Sequence, residues 1–356
     1  MSTMEQSVGA GVYAGRVART LNGGFVSMMI SIGHRTGLFD VMAALPPSTS
    51  QQVATAAGLD ERYVREWLAA MSSARIVEYD VRTATWFLPM EYAAVLARGA
   101  GANSLAPAAQ LLSMLASVED QVVAGFRGGG GVVPEAYERL NEMVSNEKSQ
   151  LIDESYVDAL LELVPGMHER LEAGGIVLDA GCGDGALLIT MGRMFPRSMF
   201  RGYDISGDAI DRALEHVEEA DLRNVDFAVG DVASIDEPRA YDLVLAFESM
   251  RELAFPRVFL RRAVAALKRD GYFLMQEVGV STYLARNLEH PFAPMLYALS
   301  CMHTVPVALA QEGEALGVMW GKERAMQMLA EAGFRSARFE TLPVDELRYY
   351  CVAGKM

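Results

Sequence analysis

Apolar residues recur at three- and four-residue steps through residues 12–45, at Val17, Leu21, Phe25, Met28, Met29 and Ile32, which predicts one long helix. A single apolar stripe of that length needs a partner. Pro46-Pro47 stops it, and Ser48-Thr49-Ser50 offers N-caps for a helix over residues 51–57, ended by Gly58. Asp60 caps the next helix, 62–73, with Tyr63, Trp67, Leu68 and Met71 on its inner face. The period then shortens to two, and residues 76–79 and 85–88 read as a hairpin around a turn at 80–83. Residues 99–108 are a connector, followed by helices expected at 109–126, about 134–145, and 156–173. Between the first two, Gly128 to Gly131 mark a lid hinge, a loop pressed against a ligand, or a plain surface loop.

In the second half, short apolar runs of the kind a buried parallel strand shows fall at 176–178, 199–203, 225–229, 241–247 and 272–278. Helical segments are read at 186–195, 257–267 and 322–332, the last stopped by Gly333. Residues 336–341 and 347–353 pair as a closing hairpin around 343–346. The insertion 279–321 is too rich in Met, Leu, His and Tyr for an exposed loop and should fold as helices over the mouth of the sheet. Strand and helix alternating in this way make an α/β unit, and helix-turn-helix followed by a hairpin makes the N-terminal part a winged helix.

Charge limits what the winged helix can do. The chain has 356 residues, long for one domain, and 46 acidic against 31 basic residues give a net charge of −15. That balance disfavours nucleic acid and anionic membranes as partners. Residues 48–75 carry Arg62, Arg65 and Arg75 against Asp60, Glu61 and Glu66, and the hairpin adds Glu78 and Asp80 against Arg82. A recognition helix without net positive charge is a poor phosphate binder. Cys182, Cys301 and Cys351 show no metal-ligand spacing and fit a reducing cytoplasm. With no basic leader and no apolar run of about 18 residues, a soluble cytoplasmic protein is expected.

The candidate chemistry centres on 176–185, IVLDAGCGDG, where a strand breaks into Gly181, Gly183 and Gly185 before a helix. Such a turn lets backbone and helix N–H groups come close to a small ligand. Gly181-x-Gly183-x-x-Ala186, with Asp204 after the next strand, suits either a dinucleotide or S-adenosylmethionine. Asp179 inside the turn would repel a pyrophosphate but can face a cationic, amino-acid-bearing ligand. Gly230-Asp231 after the third strand and Glu248 after the fourth complete the series. In order and spacing these residues resemble the motifs of class I S-adenosylmethionine-dependent methyltransferases. The segment DERYVREWLAAM, the hairpin and the C-terminal half are similar to a bacterial, notably actinobacterial, group of such enzymes with an N-terminal winged-helix dimerisation domain.

The resemblance implies a Rossmann-like, mostly parallel seven-stranded sheet with an antiparallel terminal hairpin, preceded by a mainly helical winged-helix domain. It divides the chain into a dimerisation domain (1–105), a connector and lid (106–165) and a cofactor-binding domain (166–356) with the 279–321 cap. Gly181 and Gly183 would pass the cofactor's amino-acid part, Asp204 would take the ribose hydroxyls, and Asp231 with the Val232 N–H the adenine edge. Asp179, Cys182, Gly185, Ile205, Gly230, Phe247 and Glu248 would line the same site. Family members commonly carry a His-Asp pair after strand four, where this chain has Arg251-Glu252. Arg251 cannot be a base and is left to clamp an acidic acceptor, orient Glu252, or form a surface ion pair. His303, in the cap segment CMHTVPVAL, is the better candidate base, with His290, Tyr297 and Trp320 nearby in sequence. Methyl transfer needs a base only if the acceptor must lose a proton, so catalysis by proximity alone stays open. The expected function is methyl transfer to a small, mostly apolar or aromatic acceptor by a homodimer. A winged-helix regulator responsive to S-adenosylmethionine and a NAD-dependent oxidoreductase are the alternatives.

Overall fold

The computed structural model describes residues 10–149, 151–343 and 345–355. Residues 1–9 and the middle of the predicted 343–346 turn lie outside the described residues. Two compact units divide at Ser117/Val118.

In the first unit, α1 (Ala10–Thr36) stops at Gly37, whose φ of 73° starts a new direction, and α2 (Leu38–Ala44) follows, so the single helix expected to residue 45 is two. α3 (Ser50–Ala57) opens with a reciprocal capping box between Thr49 and Gln52, and α4 (Glu61–Ser73) is capped by Asp60. β1 (Glu78–Asp80) and β2 (Thr85–Phe87) form the wing, which Ser48 joins through a bridge to Trp86. α5 (Met90–Leu96) and α6 (Gln110–Ala116) complete the unit. Its core gathers Phe39, Val64, Trp67, Leu68 and Met71, with Trp67 Nε1 donating to Met29 O at 2.8 Å. Tyr63, expected inside, is 80% exposed; the buried face of α4 runs through Val64, Trp67, Leu68 and Met71, one step round the helix.

The second unit begins with α7 (Glu119–Gly128), so the helix predicted over 109–126 is interrupted after Ala116. α8 (Glu138–Ser149), α9 (Glu154–Glu162) and α10 (Met167–Ala173) follow; the helix predicted over 156–173 breaks at Pro165-Gly166, where Gly166 has φ 64°. Then come β3 (Ile176–Ala180), α11 (Ala186–Met194), β4 (Met199–Asp204), α12 (Gly207–Glu219), β5 (Val225–Val229), β6 (Tyr241–Phe247), α13 (Pro256–Ala266) and β7 (Leu267–Val278). α14 (Leu284–Asn287), α15 (Ala293–Leu299), one π turn (Ser300–Thr304) and α16 (Val305–Ala310) form the insertion, before α17 (Gly321–Ala332), β8 (Ser336–Leu342) and β9 (Asp345–Gly354). The sheet order is β5-β4-β3-β6-β7-β9-β8. Its first five strands are parallel, and β9 inserts antiparallel between β7 and β8. Apolar cores cover both faces. Among the described residues the helical run Ala293–Ala310 is long and apolar enough to cross a membrane by length and composition, which corrects the expectation that no such run occurs. Proline and a π turn interrupt it, and His303 and Thr304 are buried within the unit.

Of the four consecutive glycines, Gly131 is pressed against the chain itself. A Cβ there would lie 2.0 Å from Pro306 O, and the next residue, Val132, donates its N–H to that carbonyl at 3.1 Å.

Candidate functional site

The glycine turn after β3 is stitched to the end of β4. Gly181 and Cys182 donate their N–H groups to Tyr203 O at 2.8 and 3.2 Å, and Gly183 N–H donates to Asp204 Oδ2 at 2.9 Å. Ser206 N–H reaches Asp204 Oδ1 at 2.9 Å, so the carboxylate stands fixed at the carboxyl edge of the sheet. Gly181, Gly183 and Gly185 have φ of 83°, 56° and 79°, the left-handed region that favours glycine. A Cβ on Gly181 would meet Ser249 at 2.6 Å and one on Gly185 the Phe227 ring at 2.3 Å, whereas Gly183 has nothing closer than Ser145 Oγ at 3.6 Å. α8 leans on the turn through Ser149, whose hydroxyl donates to Asp184 Oδ2 at 2.7 Å. Neither Ser149 nor Asp184 stood out in the sequence.

Asp179, expected inside the turn, is instead buried within β3, one residue short of it, and Ile205 is 64% exposed directly after Asp204. Asp231 sits after β5, where its Oδ1 accepts from Ala233 N–H at 2.8 Å; Gly230 precedes it and Val232 is buried behind it. An open glycine turn, a fixed carboxylate and an exposed branched apolar side chain beside it fit a ligand with a vicinal diol and a flat ring. The Cys182 thiol is pushed up by burial and by Asp179 and Asp204, which keeps it protonated.

A second cluster lies past β6. Phe247 ends that strand edge-to-face with Tyr350, ring centroids 6.3 Å apart, and Glu248 adopts φ 54°, a conformation that costs a non-glycine residue energy. Glu248 is buried and accepts from Arg348 Nε at 2.7 Å, with Arg251 Nη2 3.6 Å from its other oxygen. Arg251 is itself buried, donating to Glu277 Oε2 at 2.9 Å, with Nε 3.9 Å from Glu252. The surface ion pair is thus excluded, and the guanidinium is held among Glu248, Glu252 and Glu277. Burial pushes Glu277 above its ordinary value even against Arg251. Arg348 also holds Asp345 at 3.0 Å, and Asp345 accepts from the Tyr350 hydroxyl at 2.6 Å, which in turn accepts from Gln276 Nε2 at 2.9 Å.

His303 is 8% exposed in the π turn. Burial pushes its imidazole below the ordinary value; Glu252 opposes that shift and Arg251 adds to it. The cap and the segment after β6 therefore bring His303, Glu252 and Arg251 into one electrostatic neighbourhood, although 51 residues separate His303 from Glu252. The other expected roof residues have partners of their own. His290 Nδ1 accepts from Phe292 N–H at 3.2 Å in its own turn, the Tyr297 hydroxyl accepts from Asn287 at 3.3 Å, and Trp320 is buried in the sheet-face core.

Residues 171–333 match the family model described as a methyltransferase domain, and residues 24–98 match the one described as an Rv2258c-like winged HTH domain. Among solved structures, an O-methyltransferase family protein from Burkholderia thailandensis aligns with a TM-score of 0.68 at 15% identity, covering 98% of this chain and 99% of that one. Human N-acetylserotonin methyltransferase, solved in complex with SAM, aligns with a TM-score of 0.64 at 19% identity, over 99% of both chains. At this identity the likeness is one of fold: a helical winged-helix unit followed by a Rossmann-like domain with antiparallel terminal strands. (S)-Tetrahydroprotoberberine N-methyltransferase from Eschscholzia californica is 23% identical over 114 residues, 32% of this chain and 33% of that protein. The chain spans about a third of the length of the curated relatives it matches.

Proposed function

From a methyltransferase domain over residues 171–333 joined to a winged-helix unit, we propose that the chain is an S-adenosylmethionine-dependent methyltransferase of a small, flat, mostly apolar acceptor, working as a homodimer. The observation that carries this reading is the Asp204 carboxylate, tied to the Gly183 N–H at the carboxyl edge of a sheet whose β9 is antiparallel, an ending that NAD-binding domains of this type lack. Bound there, S-adenosylmethionine would supply the electrophilic methyl group. Gly181 and Gly183 would accommodate its amino-acid part, Asp204 the ribose hydroxyls, Ile205 a ring face, and Asp231 with Val232 the adenine edge.

The chain's own task is alignment and one proton. A buried His303 is neutral at ordinary pH and can accept the acceptor's proton as the new bond to carbon forms; the Glu252 charge then stabilises the imidazolium. Arg251 is committed to Glu277 and Glu248 and orients the charged floor rather than exchanging protons. With Glu248, Glu252, Glu277 and Asp345 against Arg251 and Arg348, the surrounding charges sum to −2 with His303 neutral, which favours an uncharged or cationic acceptor bearing a hydrogen-bond donor. In this reading residues 1–105 serve dimerisation and 106–165 connect to the cofactor domain, in a cytoplasmic enzyme. Dimerisation is preferred over DNA binding because Arg62 and Arg65 on α4 are already paired with Glu66 and Glu61.

Incubating the protein with methyl-labelled S-adenosylmethionine and a panel of phenols and nitrogen heterocycles tests the proposal. Transfer of label to at least one such acceptor is expected, falling about 100-fold in His303→Gln. Label transferred to nothing on the panel, or only to carboxylic acids tested beside it, contradicts it.

A further inference from the structure

We propose that Tyr137 is a positioning residue for His303, fixing the π turn that carries the imidazole and shielding the ring from water. The inference rests on the reading of His303 as the proton acceptor. The π turn interrupts the helical run 293–310, and it arises where Val305 N–H returns to Ser300 O instead of to Cys301. Such wide turns re-aim one side chain out of a helix and occur often at functional sites. Here the turned-out segment contains His303.

The next irregularity explains Tyr137. Pro306 has no N–H to give to the carbonyl four residues earlier, that of Met302, which loses its usual helical donor. The Tyr137 hydroxyl supplies one, donating to Met302 O at 2.6 Å. The same ring packs edge-to-face on the His303 imidazole, centroids 4.7 Å apart and planes at 70°. Tyr137 is 2% exposed. Its segment is anchored to the same helix a second time, by Val132 N–H on Pro306 O at 3.1 Å, where only a glycine at 131 leaves room for the two backbones. One side chain 166 positions away thus satisfies the carbonyl next to His303 and covers its ring. Among the described residues, Glu252, Arg251 and Tyr137 are the ionisable groups that face the imidazole. Removing the aromatic cover lets water reach it, so its affinity for a proton rises.

The test is an NMR titration of the imidazoles in full-length protein with labelled histidine, His303 being assigned by its loss in His303→Gln. In the wild type His303 titrates below the ordinary 6.5; in Tyr137→Leu it moves up toward that value. Tyr137→Phe keeps the ring, so the titration stays near the wild-type position. With the best acceptor of the phenol and heterocycle panel, Tyr137→Phe lowers kcat about tenfold with acceptor KM within about twofold. Adding Pro306→Ala, which returns an N–H to Met302 O, restores most of that turnover. Unaltered S-adenosylmethionine affinity identifies the variants as folded. An unmoved His303 titration in folded Tyr137→Leu overturns the proposal, as does wild-type kcat in Tyr137→Phe. Wild-type turnover in His303→Gln instead overturns the proton-acceptor reading, and the catalytic part of this inference with it.

Discussion

Glu277 is 1% exposed on β7, with the Arg251 guanidinium 2.9 Å away. Arg251→Leu strands that carboxylate in the interior and is expected to cost about 3–5 kcal/mol in urea unfolding, while Arg251→Leu with Glu277→Leu costs clearly less because no lone charge remains. Equal losses in the two would mean that packing rather than charge sets the cost. These residues also show what could be read at this scale. The glycines and Asp204 stood out because a turn needing positive φ and a carboxylate after a strand are local features. Arg348 and Asp345 did not, because their roles exist only once the strands are paired: Arg348 meets Glu248 across 100 positions, and β9 sets that register, not any spacing in the chain.

Whole elements were legible where one pattern ran unbroken, as in α4 and most strands of the main sheet, and were misjudged where β7 starts at Leu267 rather than at 272 and where a glycine changed direction inside an apolar pattern, as at Gly37 and Gly166. Gly131 gives the sharpest element-scale test. A Cβ there meets Pro306 and Ala310 backbone at 2.0 and 2.2 Å, so Gly131→Ala is expected to destabilise by about 1–3 kcal/mol. Gly128 has open space and no left-handed φ, so Gly128→Ala should be neutral or stabilise by about 0.4–1 kcal/mol in the same melts. At the start of α17, Glu323 anchors the insertion, accepting from Thr282 N–H and the Ser281 hydroxyl at 2.8 Å each and from Arg286 at 2.6 Å. Burial raises this carboxyl, yet the hydrogen bonds from Thr282 and Ser281 and from its own backbone outweigh it and hold it at about 2, against an ordinary 4.5. A depressed folded value adds stability above the ordinary one, and that stability is lost as the pH falls from 4.5 toward 2. Glu323→Gln should therefore melt earlier than wild type at pH 7, with the difference closing as the pH approaches 2; a constant difference would refute the charge-based account.

For the whole molecule, α1 presents Val17, Leu21, Phe25 and Ile32 at 43–68% exposure, an apolar stripe that a second copy of the first unit would cover. Sedimentation should give a dimer for the full chain, and Leu21→Glu with Phe25→Glu should give a monomer that still binds S-adenosylmethionine. A monomeric wild type would remove dimerisation as the role of the winged-helix unit. Chemistry at the glycine turn is the central claim, and calorimetric titration of the full chain with S-adenosylmethionine and with NAD tests it most directly. Micromolar binding of S-adenosylmethionine and none of NAD is expected, weakened in folded Asp204→Ala by about 2–3 kcal/mol for the lost carboxylate. Binding of NAD in preference, or full S-adenosylmethionine affinity without Asp204, would contradict it.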